Sequence, residues 1–174
     1  MAAVQPLEGT EATIYSAREE MVCDRDLSVG YEEIEAQAAG MGEHKVTVRF
    51  LTPTRVKYQG HYVSRPEFHV LIRNILRRVS SLYYFHCGER WEYDYQGTIE
   101  RAKEVEMARA ETGWVDWGRY SKRQEMKMKL GGFMGEVSYR GELAPFMALL
   151  LLGQLVHVGK ACVFGHGKYE IING

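Results

Sequence analysis

Cysteine is scarce in this chain of 174 residues: Cys23, Cys87 and Cys162 stand far apart. No CxxC pair exists, so neither a disulfide framework nor a structural zinc site is indicated. A reducing cytoplasm is the simplest setting for such thiols. Long hydrophobic runs are also missing. The longest, Phe146 to Leu152, is far short of a bilayer span. The opening residues, "MAAVQPLEGTEATIY", have neither the basic start nor the apolar stretch of a signal peptide. Net charge is nearly absent at −1, so the chain as a whole is not a basic binder of polyanions. Any such activity must come from local patches, because net charge hides asymmetry. Internal repeats and low-complexity tracts are absent too.

What is present suits a soluble globular protein. Apolar residues make up 45% and charged residues 26%. The length fits one domain with an appendage and suffices for a hydrophobic core without staples. Residues 1–42 are acidic and broken by glycines, and read as an N-terminal extension of loops with a short helix at best. Residues 43–174 read as the domain.

Within that domain, "HKVTVRFLTP" alternates Val46, Val48 and Phe50 with Lys45, Thr47 and Arg49, a strand ending at Pro53. "SRPEFHVLIRNILRRVSSLYYFH" follows as a helix. Ser64 is its expected cap, with Pro66 and Glu67 in the first turn. Phe68, Leu71, Ile75, Val79 and Leu82 recur at helical spacing as its apolar stripe, while Arg73 and Arg77 read as a solvated face. Gly97 to Glu111 is charged and suits a short helix. Two alternating runs, Met126 to Leu130 and Phe133 to Tyr139, flank Gly131–Gly132 and read as a β-hairpin. "ELAPFMALLLLGQLVH" reads as an apolar helix with Pro145 in its first turn. A last strand interrupted by glycines is expected over Ala161–Ile172. The order strand, helix, hairpin, helix, strand predicts an α+β, ferredoxin-like (split βαβ, RRM-like) fold. Its four-stranded antiparallel sheet would carry both helices on one face.

"HVGKACVFGHGKYEI" gathers Gly159, Gly165 and Gly167 with Lys160 and Lys168 near the end of the chain. One reading makes the glycines turns and a bulge of an edge strand. The other has them expose backbone N–H groups to phosphate, with the lysines supplying charge. The spacing leaves the two nearly even. "RYSKRQEMKMK" holds five basic residues and one acidic one. Arg119, Lys122 and Arg123 could follow a phosphate backbone, with Tyr120 free to stack on a base. A charged edge strand that resists aggregation is the plainer alternative. Trp114 and Trp117 read as core or domain-interface residues. Of the six histidines, His69 reads as structural or surface, and His86 beside Cys87 lacks the third group a nucleophile pair needs. His157, at the end of the apolar helix, reads first as a cap favoured by the helix dipole. It is also the one weak candidate for a catalytic role.

The stretch from Gly131 to Ile171, "GGFMGEVSYRGELAPFMALLLLGQLVHVGKACVFGHGKYEI", resembles the C-terminal half of the CRISPR precursor-RNA processing endoribonucleases of the RAMP superfamily. The glycine-led strand, the "GELAPF" helix entry and "HVGK" followed by "FGHGKY" carry the likeness. "LTPTRVKYQG" and "WVDWGRYSKRQ" resemble the same family's upstream segments, so the likeness spans about 45–172. It implies a glycine-rich loop beside RNA, with Gly159, Lys160, Gly165, His166, Gly167 and Lys168 as RNA-binding candidates. It also implies metal-independent cleavage in which a ribose 2′-OH attacks the neighbouring phosphate. No cofactor or metal is expected.

Where the family tends to carry an apolar residue, this chain has His166, read as an RNA contact or, preferably, a tolerated surface substitution. Family members usually hold two such domains, and the general base lies in the first. Residues 1–42 resemble the run-out from that first domain, so the chain is expected to lack the catalytic half. CRISPR repeat RNA is the implied partner. Other CRISPR-associated proteins, an N-terminal domain of the same protein and a homodimer remain open, and no membrane is expected. A non-catalytic RAMP subunit of a CRISPR effector complex is one alternative function. A regulatory domain that seats a small phosphate metabolite on the glycine loop is another.

Overall fold

The computed structural model describes residues 2–4, 12–16, 21–22, 28–116, 118–121 and 126–172. For the short strands at 2–4, 12–16, 21–22, 118–121 and 126–129 it describes the backbone. The chain divides into two units, Met1–Gln37 and Ala38–Gly174. The first contains β1 (Ala2–Val4), β2 (Ala12–Ser16) and β3 (Met21–Val22), an antiparallel sheet in that order. The sequence predicted loops there, because strands of two to five residues are too short to show alternation. Helix α1 (Tyr31–Ala39) follows; Glu33 Oε2 accepts the Gly30 amide at 2.7 Å, one half of a capping box.

The second unit is built on β4 (Lys45–Thr54), β7 (Glu106–Val115), β10 (Gly132–Arg140) and β11 (Tyr169–Ile172). Between them come the ribbon β5 (Val56–Tyr58) and β6 (His61–Val63), then α2 (Phe68–Cys87) and α3 (Tyr95–Ala102). A second ribbon, β8 (Gly118–Ser121) with β9 (Met126–Lys129), sits between β7 and β10 in the chain. Helix α4 (Met147–Val156) follows β10 after a 3-10 turn at Ala144–Phe146. The main sheet runs β11-β4-β10-β7, antiparallel throughout. This is the ferredoxin-like order the sequence predicts.

Period-two burial explains the inward face. Val46, Val48 and Phe50 are at most 1% exposed, and Val137 and Tyr139 stand opposite Val48 and Val46. Phe68, Leu71, Ile72 and Ile75 of α2 close over them with Leu150 of α4. Phe50 meets Phe133 edge-on at 4.8 Å, an aromatic pair contributing about 1 kcal/mol beyond its buried area. The buried Tyr139 hydroxyl donates to the Pro66 carbonyl at 2.8 Å, fixing the entry to α2. Helix α2 stops at Gly88, whose φ of 78° allows its amide to reach the Tyr84 carbonyl.

Four local expectations are corrected. Ser64 does not cap α2: the N-cap is Glu67, with no side-chain cap bond. The charged helix ends at Ala102, because residues 106–115 pair with β10 as an edge strand. Gly131–Gly132 is not a hairpin turn. The hairpin of the main sheet is β7 with β10, and Met126–Lys129 pairs instead with Gly118–Ser121. A Cβ on Gly132 would meet the Thr54 backbone at 2.6 Å, so close strand approach requires glycine there. The last strand is only Tyr169–Ile172, since Cys162–Phe164 forms a 3-10 turn.

The outer face of the sheet carries paired charges. Arg49 donates to Glu136 at 2.8 Å and to Glu170 at 3.1 Å, bridging β10 and β11 from β4. The Thr47 and Ser138 hydroxyls share a hydrogen bond of 2.8 Å beside it.

Candidate nucleic-acid interface

At the end of α4 the chain reverses at His157, whose φ is 63°. The segment that follows is sewn to the end of β4 by its own backbone. Gly167 donates to the Pro53 carbonyl at 3.2 Å, Lys160 to the Arg55 carbonyl at 3.0 Å, and Lys168 to Thr52 Oγ1 at 2.9 Å. Val158 donates to the Gly167 carbonyl at 3.0 Å and closes the loop. Gly167 has φ of 74°, and a Cβ there would collide with the Val158 backbone. A Cβ on Gly159 would stand 2.5 Å from the Arg55 carbonyl oxygen.

The loop glycines therefore let protein backbones approach each other. The expectation that they leave their amides bare for phosphate is corrected at Gly165 and Gly167. Those amides, like those of Lys160 and Lys168, already have partners within the chain, Gly165 donating to the Cys162 carbonyl at 2.9 Å. A packed corner satisfies its own donors first.

Other groups of the loop do reach solvent. Lys160, Gly165 and Lys168 are exposed, and Val163 and Phe164 are 81% and 45% exposed. Ala161 is left-handed and the right-handed turn Cys162–Phe164 follows it directly. Such an alternation aims successive N–H groups to one side, an arrangement that suits an anion.

The histidines fall on the inner side of this corner. His166 is only 1% exposed, so the surface substitution or direct RNA contact expected there is corrected. With glycines at positive φ on both sides, the chain turns residue 166 inward. Burial lowers its pKa, Arg55 lowers it further, and a hydrogen bond with the Pro53 backbone opposes both. His157 is half-buried, with Nδ1 3.1 Å from the His166 carbonyl oxygen. A carbonyl can only accept, so Nδ1 carries the hydrogen and Nε2 keeps a basic lone pair. Burial lowers the His157 pKa, and Lys168 and Arg78 add to this against the raising effect of that hydrogen bond. These effects favour the neutral imidazole over the protonated cap expected from the helix dipole. His69 is buried and structural, with Tyr58 edge-on at 5.3 Å.

The basic segment is only partly in view. Arg119 lies in β8 opposite Met128, while Lys122 and Arg123 lie outside the described residues. Trp114 is 43% exposed, so it is not part of the core. Sequence reasoning also passed over Arg55 and Tyr62. The Arg55 guanidinium lies 4.4 Å from the centre of the Tyr62 ring, which is 6.5 Å from Trp114. The signal was there: Arg55 and Lys57 alternate with Val56 and Tyr58 across a ribbon.

Among the described residues no group of three or more His, Cys, Asp or Glu could hold a metal ion, and no helix is long and apolar enough to cross a membrane. Cys87 and Cys162 are free thiols.

Comparison with known proteins draws these features together. The family model for the CRISPR-associated endoribonuclease Cas6 matches residues 48–169. No curated protein sequence matches the chain. Among solved structures, Thermus thermophilus Cas6 superposes with a TM-score of 0.59 at 20% identity, covering 83% of this chain and 58% of that one. A partial Cas6-RT-Cas1–Cas2 complex contains a chain that superposes with a TM-score of 0.61 at 15% identity, covering 90% of this chain and 29% of that one. The chain thus spans little more than half the length of the Thermus protein.

Proposed function

Because the chain belongs to the family of CRISPR-associated Cas6 endoribonucleases, we propose that it is the RNA-binding, C-terminal domain of an enzyme that processes precursor CRISPR RNA. The observation that carries this reading is the solvent-facing corner formed by Lys160, Phe164, Gly165 and Lys168 on a ferredoxin-like domain. Two cations and an aromatic edge at one corner suit a phosphate backbone with an unstacked base. The outer face of the sheet is a poorer seat, because Arg49 is held there by two carboxylates.

The reaction we assign to the whole enzyme is attack of a ribose 2′-OH on the adjacent phosphate. It leaves a 2′,3′-cyclic phosphate and a 5′-hydroxyl, and does not call on a metal. It needs a base, an acid and positive charge at the phosphate. Lys160 and Lys168 offer the charge. His157 Nε2 is a basic atom at the same corner, but its half-buried place makes it the lesser part of the proposal. The remaining groups belong to a first domain, in keeping with the 58% of the Thermus chain that this one covers. We assign repeat RNA as partner and the cytoplasm as setting.

The test is a titration of the chain with repeat RNA across a salt series, followed by gel analysis with and without EDTA. Salt-dependent binding, lost in a Lys160→Ala/Lys168→Ala variant, with little cleavage by the chain alone, is expected. Binding indifferent to both salt and those lysines overturns the site. Efficient cleavage by the chain alone overturns the assignment of the missing groups to a first domain.

A further inference from the structure

The ribbon β5–β6 turns at Gln59–Gly60, where both residues have positive φ (46° and 87°), as a tight two-residue hairpin requires. Its register puts Lys57 opposite Tyr62, and Arg55 two residues before Lys57, so all three share one side. The other side carries Val56, Tyr58 and Val63, which belong to or pack against the core. The outward side is thus two cations and an aromatic ring, with Lys57 exposed and Tyr62 40% exposed.

Trp114 extends this surface from β7. Thr112 Oγ1 donates to the Ser64 carbonyl at 2.7 Å and ties β7 to the end of the ribbon. The Trp114 and Tyr62 rings stand 6.5 Å apart at 50° to each other, and Trp114 Nε1 donates to Asp116 at 3.1 Å. The Arg55 guanidinium lies over the Tyr62 ring while the Arg55 carbonyl receives the Lys160 amide. The ribbon side is therefore continuous with the glycine-rich corner through a single residue.

We propose that Arg55, Lys57, Tyr62 and Trp114 form a second RNA subsite, a stacking platform that takes an unpaired base of a single strand. Arg55 covers one face of Tyr62, so Trp114, 43% exposed, offers the ring surface for stacking, with the tilted Tyr62 ring beside it. Lys57 and Arg55 supply charge along the same path. A flat apolar partner would have no use for two cations flanking the rings, whereas a single-stranded nucleic acid needs both elements. The choice of polymer rests on the RNA-binding reading above; the placement of the platform does not depend on the glycine loop.

The test compares two labelled probes by fluorescence anisotropy with the full chain. One is an oligoadenylate of roughly ten nucleotides, within the site sizes of single-strand binders. The other is an abasic ribose-phosphate oligomer of equal length. The parent should prefer the adenylate. Tyr62→Ala and Trp114→Ala should each weaken adenylate binding about fivefold or more while leaving the abasic probe unchanged. Tyr62→Phe and Trp114→Phe should keep the preference, and thermal melts should show that each variant is folded. Lys160→Ala/Lys168→Ala should weaken both probes alike.

Aromatic variants that bind adenylate as the parent does, or that lose both probes equally, overturn the platform. So does a parent that binds no adenylate. If the lysine pair changes nothing while the aromatic variants lose adenylate, the reading of the glycine corner falls and the platform stands.

Discussion

The Val158 amide donates to the Gly167 carbonyl at 3.0 Å, and that bond shuts the glycine-rich loop against the end of β4. The loop's shape comes from its own backbone. Its lysines are carried on a preset frame, so no loop entropy needs to be lost when an anion arrives.

Two glycines of the frame should respond differently to a methyl group. Gly165 has φ of 80° but open space where a Cβ would stand, while at Gly167 the Cβ would strike the Val158 backbone. Gly165→Ala should cost about 1 kcal/mol, the strain of a left-handed alanine. Gly167→Ala should cost several kcal/mol, since backbone must move. Urea unfolding of both variants measures the difference, and equal losses refute the account.

Salt dependence should report the lysines. Each phosphate contact to a single strand contributes about 0.7 to the slope of log affinity against log salt. Lys160→Ala and Lys168→Ala should each flatten that slope by about this amount, and together by about twice as much. A slope unchanged in the double variant removes both side chains from the interface.

Stability should fall in mild acid. His69, His157 and His166 all have pKa values lowered from 6.5, with burial the largest cause in each. Unfolding returns each to its ordinary value, so the unfolded chain takes up protons first as pH falls. The stabilisation is complete above about 6.5 and is lost as pH drops through the folded values. Urea midpoints between about pH 7.5 and pH 5 should decline, less steeply in His157→Gln. A midpoint that rises toward acid contradicts this.

Helix α4 presses Gly153 against the ring end of Tyr169, whose buried hydroxyl donates to the Leu150 carbonyl at 2.5 Å. Gly153→Ala would push a methyl into that hydroxyl and into Ile75, and should cost about 1–3 kcal/mol as overpacking. Tyr169→Phe loses one hydrogen bond, about 1 kcal/mol. Combined, the two should cost less than their sum, because removing the hydroxyl makes room for the methyl. Strict additivity in the double-mutant cycle means the two groups do not meet.

Periodicity made β4, α2 and α4 readable, since each buries a full stripe or one complete side. It failed at β7, where Glu106 to Val115 contains no buried residue and begins with helix formers. An edge strand of that kind is held by its pairing with β10, which no local pattern records. Gly131–Gly132 misled for a related reason: a doublet that serves close strand approach looks the same as a turn. At the candidate site the lysines could be found from composition, but the inward turn of His166 could not. That turn depends on two backbone reversals and on carbonyls from Pro53 and Arg55, far earlier in the chain. The Arg55–Tyr62–Trp114 cluster is likewise assembled from separate segments, and only its ribbon half alternates in the sequence.

On the outer face of the sheet, Arg49 already serves Glu136 and Glu170. A polyanion crossing that surface would have to prise the cation from two owners and then lie beside the carboxylates it had deserted. Under the proposed function, the domain would therefore have one hospitable end and one indifferent flank, and a transcript settling on it would be steered around the rim, away from the middle.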